Sequence, residues 1–284
     1  MSLTKSNTPL IIIDAHVHIH GCFDLPTFFE SALTNCRIHA TDQQHQGPLL
    51  GVLLLAESSW DHWFQRLGTF ADQHKTLSSD DSQSWNLHRT SEDFTLVAQS
   101  RQGSKLLIVA GRQIVTQEKF EVLALMTSQT FQDGLSIQES IEHVKRSGGI
   151  PVIPWAFGKW WGARGKRLTE LMNSTVMSDV FLGDNSGRPG FLPYPSQFTL
   201  AETQGIRIFP GSDPLPMAWE TFRPCSVGLS LMSELEEACP GSCLKHILQN
   251  AQATMTPYFQ HESVYRFFKN QIAMKMMKPR QAAT

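Results

Sequence analysis

The sequence carries no large excess of charge of either sign. Lys and Arg number 24 and Asp and Glu 26, a formal charge of −2. No global field draws the chain to nucleic acid or to a membrane, so neither is an expected partner. Cysteine is scarce and odd in number, five residues in all. Cys239 and Cys243 lie four apart, but no second close pair completes a zinc ribbon. The thiols read as reduced, which predicts a cytoplasmic location. No uncharged apolar run reaches the length of a membrane span. Residues Met1 to Lys5 lack the apolar core of a signal peptide. No Gly-x-Gly-x-x-Gly turn follows the first strand, which disfavours a dinucleotide fold. No Gly-x-x-x-x-Gly-Lys-Ser/Thr loop supports an NTPase, and no Gly-x-Ser-x-Gly elbow supplies a serine nucleophile.

What is present begins with Ile11-Ile12-Ile13-Asp14-Ala15-His16-Val17-His18-Ile19-His20. An apolar run of strand type leads into histidines at every second position. Alternation along a strand aims His16, His18 and His20 to one face. Paired imidazoles at the end of a buried strand suit a divalent metal. His20 stands beside Gly21, where the chain turns away. A polar strand end entering a loop is the plainer reading of the same residues.

The 284 residues, 41% hydrophobic and 18% charged, suffice for one large core. They read as a single domain over 1–275 with a frayed tail at 276–284. Segment 58–105 reads as an insertion or irregular stretch. Strands are expected over 9–14, 49–55, 106–110, 120–125, 150–154, 180–182, 206–209 and near 227–231. Helices are expected over 26–35, 137–147, 167–174, 196–204 and near 243–252 and 260–273. Leu49 to Leu55 is continuously apolar, as a parallel strand covered on both faces is. Ser136-Ile137-Gln138-Glu139 is a capping box, and Gly148-Gly149 closes its helix. Alternating strands and helices, with polar residues after strands, predict α/β architecture: a (β/α)7–8 TIM-like barrel of parallel strands.

Side chains that follow strands are the candidate site. Glu57 follows the second strand, where a barrel delivers functional groups; capping the next helix is its alternative role. Asp184, Asn185 and Arg188 follow a later strand, and local turn chemistry explains them equally well. Gln113 and Trp155 follow strands too. The loop 155–167 holds four basic residues, three tryptophans, three glycines and no acid. Its Lys159 and Arg164, with Arg188, are the expected grips for an anionic group.

Asp14-Ala15-His16-Val17-His18 and Gly211-Ser212-Asp213 together resemble two related families of barrel hydrolases. One is the amidohydrolase superfamily; the other is the polymerase and histidinol phosphatase family of phosphoesterases. The resemblance implies that His16 and His18 are metal ligands and that Asp213 binds the metal or helps activate its water. It also breaks in places. The phosphoesterase family has Asp-His where this chain has Ala56-Glu57, and a glutamate where Gln113 stands. It has a histidine at Trp155 and a terminal Asp-x-His where this chain reads Asp213-Pro214-Leu215.

These readings predict a hydrolase with one divalent metal, Zn or Mn rather than Mg, held by His16, His18 and Asp213. Asp213, Asp184 and Glu57 are the candidate catalytic carboxylates. Gln113, Trp155, Lys159, Arg164, Asn185 and Arg188 are the candidate contacts to a small anionic substrate, a phosphoester or an amide. A non-catalytic binding scaffold with a degenerate site is the rival reading. A nucleic-acid-processing module is a third, and the mildly acidic charge weakens it.

Overall fold

Strand β1 (Leu10–Val17) is buried along its whole length. It sits in the middle of the molecule, for which the structure is a computed structural model describing residues 8–79, 83–185, 188–260 and 263–281. On one side β1 pairs in parallel with β2 (Leu49–Leu55), and on the other it pairs antiparallel with a late strand over 228–232. The chain then adds β3 (Thr76–Ser78), β4 (Ser84–Arg89), β5 (Thr95–Ser100) and β6 (Lys105–Val109). These four form an antiparallel meander, and β6 joins β2 in parallel. They occupy most of segment 58–105, together with helix α2 (Trp63–Asp72), which follows helix α1 (Leu25–Asp42). Helix α1 runs seven residues past the end expected at residue 35, so that its last turns stand where a loop was expected.

The second sheet holds β7 (Gly111–Val115), β8 (Glu121–Leu125), β9 (Ile150–Pro154), β10 (Phe181–Asn185) and β11 (Ile208–Gly211). The pairs β9–β10 and β10–β11 are parallel; β7–β8 and β8–β9 are antiparallel. Strands β12 (Gly228–Met232) and β13 (Thr256–Tyr258) return to the first sheet, whose order is β13-β12-β1-β2-β6-β5-β4-β3. Helices α3 (Ile137–Arg146), α4 (Gly162–Met172), α5 (Ser196–Thr203), α6 (Pro240–Gln249) and α7 (Val264–Gln281) complete the order.

The parallel barrel expected from the sequence does not form. Two mixed sheets of eight and five strands stand in its place. The reason lies in connection length. A parallel crossover needs a dozen or more residues and usually a helix, whereas tight turns can join only antiparallel neighbours. Thr116 to Phe120 is such a turn, with Lys119 in the left-handed region at φ 65°. Gly111 to Gln113, expected to follow a strand as part of the site, is the start of a hairpin strand. The strands expected to lie parallel in one sheet split three and three between the two.

Alternation along β1 feeds two cores. Leu10 and Ile12 pack with α1 in one cluster; Ile11, Ile13 and Ala15 pack between the sheets with β9 to β12 and α6. A third cluster joins the second sheet to α3, α4 and α5. The β1–β2 register shifts between Asp14 and Val17. Past that bulge, Val17 and Ile19 belong to the α1 cluster. Strict alternation from Ile12 would have sent His16 and His18 toward α1. The slip of one residue sends them the other way, to where the two sheets meet.

Candidate metal centre

The sheets touch at two seams. At one, the Glu57 N–H donates to the Gly111 carbonyl and the Gln113 N–H donates to the Glu57 carbonyl, at 3.1 and 2.8 Å. At the other, the Asp213 N–H donates to the His16 carbonyl at 2.8 Å. Gly211 makes the second seam possible: a Cβ there would lie 2.4 Å from the His16 nitrogen. The glycine of the Gly-Ser-Asp turn is therefore a close-approach residue.

This seam brings His16, His18 and Asp213 together, with one ligand atom from each inside a 4.8 Å group. The two Nε2 atoms are 3.1 Å apart, and each lies 3.6 Å from Asp213 Oδ1. His16 and His18 are 3% and 9% exposed. Burial, helped by the neighbouring His16, lowers the His18 pKa to about 3. At neutral pH that imidazole keeps its lone pair. Burial works against the Asp213 carboxylate, but the surrounding histidines and Lys159 outweigh it and hold its pKa below the ordinary value. The backbone of Asp213 takes φ 45°, a conformation that Asp tolerates better than most residues. His20, third in the sequence pattern, stacks on His18 but gives its Nε2 to the Pro214 carbonyl at 2.9 Å, outside the ligand group.

Asp14 holds this geometry from behind. It is fully buried, and its carboxylate accepts the Ser212, Cys225 and His16 N–H groups at 2.8, 2.8 and 3.3 Å. One side chain thus fixes the end of β1, the turn carrying Asp213 and the approach to β12. Burial raises its pKa to about 6 despite those hydrogen bonds. Asp14 was not among the residues expected at the site. A carboxylate two residues before a ligand, inside an apolar run, was the signal for a positioning role.

Other candidate residues divide into two groups. Gln113 hydrogen-bonds His18. Asn185 donates to the Trp155 carbonyl at 2.7 Å and to Asp213 Oδ2 at 2.9 Å, which leaves its buried Oδ1 without a partner. These lie at the centre. Elsewhere the charges are engaged with each other. Glu57 pairs with Arg112 at 3.1 Å and accepts the Phe64 N–H at 2.5 Å, in the first turn of α2. Burial raises its pKa. Asp184 grips Arg188 through both oxygens, at 2.9 and 2.7 Å. Lys159 pairs with Glu121. Arg164 donates to the Gly158 carbonyl and lines a separate recess with Glu118 and Arg167. The basic loop is shorter than expected, because Gly162 onward is helix α4.

A small recess opens onto Asp213, walled by Trp155, Asn185, Glu220, Arg223 and, from α7, Phe267 and Asn270. A larger cleft between α4 and α5, lined by Trp161, Tyr194 and Gln197, holds none of the three ligands. Glu220 is a further residue the sequence reading missed. Fully buried, it accepts from Arg266 at 2.8 Å and Asn270 at 3.2 Å and so moors α7 over the recess. No helix among the described residues is long and apolar enough to cross a membrane. No protein-family model matches the chain, and no curated protein matches it significantly.

Proposed function

We propose that the chain is a metal-dependent hydrolase acting on a small anionic substrate. The observation that carries this reading is the convergence of His16, His18 and Asp213 from distant parts of the sequence, with His18 held neutral by burial and the Asp213 carboxyl held below its ordinary pKa. Two imidazoles and one carboxylate fit Zn or Mn better than Mg. Three protein ligands leave a coordination position open, the arrangement of catalytic rather than structural sites. The partnerless Oδ1 of Asn185 and the amide of Gln113 add polar groups that fit a hydrated ion or a polar substrate. When bound, the ion supplies Lewis acidity and makes water nucleophilic near neutral pH.

Within that reading the residues have distinct tasks. Asp213 has a second oxygen, held by Asn185, that can take a proton from water. Trp155 and Phe267 exclude bulk solvent from the recess. Lys159, though paired with Glu121, lies near enough to Asp213 to favour its anion. The internal ion pairs Asp184–Arg188 and Glu57–Arg112 favour a second reading, a binding scaffold without turnover. They leave fewer free charges for substrate than an active hydrolase of this type would use.

Metal analysis after dialysis against Zn or Mn, with a panel of phosphoesters and amides, separates the two. Wild type is expected to retain about one ion and to hydrolyse at least one class. His16→Ala, His18→Ala and Asp213→Asn should lose the ion while keeping the fold by circular dichroism. Retained metal without turnover supports the scaffold; no retained metal removes the hydrolase reading.

A further inference from the structure

The last helix has an outer face that nothing in the fold explains. Its inner face, through Phe267 and Asn270, walls the recess and meets Glu220. On its outer face Tyr265, Phe268, Ile272 and Met276 are 78%, 54%, 59% and 73% exposed. At about 100° per residue these four fall in one narrow stripe along the helix. Lys269 and Lys275, both exposed, fall on its two edges. The Lys269 ammonium sits 3.9 Å from the Trp219 ring centre, and exposed Phe191 stacks on Phe268. The helix sequence contains five basic residues and no acidic one.

An apolar stripe edged by lysines and aromatics is the pattern of a helix lying in a lipid interface. Lysines at the edges reach the headgroups while the stripe enters the acyl boundary. The same charge pattern disfavours a second copy of the chain. A two-fold contact would set Lys269 and Lys275 against like charges. We propose that α7 docks the protein on an anionic lipid surface, with Tyr265, Phe268, Ile272 and Met276 in the interface and Lys269 and Lys275 among the headgroups. The recess on the other side of α7 is then held close to the membrane. The overall charge of −2 conceals this local excess of positive charge. The inference does not depend on the metal.

Sedimentation of the 284-residue chain with vesicles tests it. Vesicles of equimolar phosphatidylserine and phosphatidylcholine should pellet the protein at low salt. Pure phosphatidylcholine or high salt should reduce the bound fraction about tenfold. Phe268→Ser with Ile272→Ser, and separately Lys275→Glu, should each weaken binding about tenfold or more, since these exposed side chains leave the core intact. Circular dichroism and metal content are expected unchanged in both, so failure here and failure of the metal reading are separate results. No sedimentation with either vesicle, or wild-type binding by the variants, overturns the proposal. So does a concentration-dependent dimer that the double variant abolishes while lipid binding is absent.

Discussion

At the residue scale, two buried groups near the seam respond to pH with opposite signs. His18 has a folded pKa of about 3 against 6.5 when exposed. The unfolded chain binds the extra proton, so this contribution to stability is complete above pH 6.5 and is lost as pH falls toward 3. Asp14 has a folded pKa of about 6 against 3.8. Here the native state binds the extra proton, so its contribution is greatest below pH 3.8 and is lost as pH rises through 6. Each slope is at most about 1.4 kcal/mol per pH unit. In the metal-free protein, urea unfolding of His18→Gln should lose less stability than wild type between pH 6.5 and 5. Asp14→Asn should lose more, because the opposing slope is gone. An unchanged profile in both would refute the assignment. Asp14→Asn also disturbs three backbone contacts behind the ligands. Its metal affinity should fall about 10- to 100-fold by calorimetry, as for other supporting residues around metal ligands.

At the scale of elements, the seam between β1 and β11 is the part least tolerant of added volume. Gly211→Ala would force a Cβ into the His16 backbone. It should cost about 1–3 kcal/mol in urea unfolding and weaken metal binding more than its volume suggests. A variant that retains full metal affinity would show the seam to be compliant. The sequence announced this turn through Gly211-Ser212-Asp213 and announced α3 through Ser136 and Glu139, whose reciprocal cap is present. Local chemistry is legible because the residues that satisfy each other are near in the chain. Strand pairing is not local. Leu106 to Val109 and Ile150 to Pro154 look alike as apolar runs, yet they lie in different sheets. The hairpins that separate them turn on residues such as Lys119, which carries no glycine signal despite its positive φ. The β1 bulge was equally silent: Asp14 to Val17 alternate in sequence as an unbroken strand would.

At the scale of the whole molecule, the ligands come from both sheets, β1 in one and β11 in the other. Metal should therefore stabilise the assembly rather than one element. At about a hundred times its dissociation constant it should add about 2.7 kcal/mol and raise Tm by about 5 °C or more. Asp213→Asn should abolish that increment in a thermal scan with and without Zn. The same division bears on how this chain tolerates changes in length. Residues before the bulge feed both cores; those after it divide between the α1 core, through Val17 and Ile19, and the metal centre, through His16 and His18. A one-residue deletion at Ala15 would leave Ile11, Ile12 and Ile13 in their places and take up the extra residue of the bulge, so that His16 and His18 keep their face but stand one residue nearer to Asp14 along the strand. Such a chain would still fold around its two cores, because Val17 and Ile19 keep the α1 face, and would carry its imidazoles about 3 Å out of place relative to Asp213. Insertions and deletions there are decoupled from folding and coupled to chemistry.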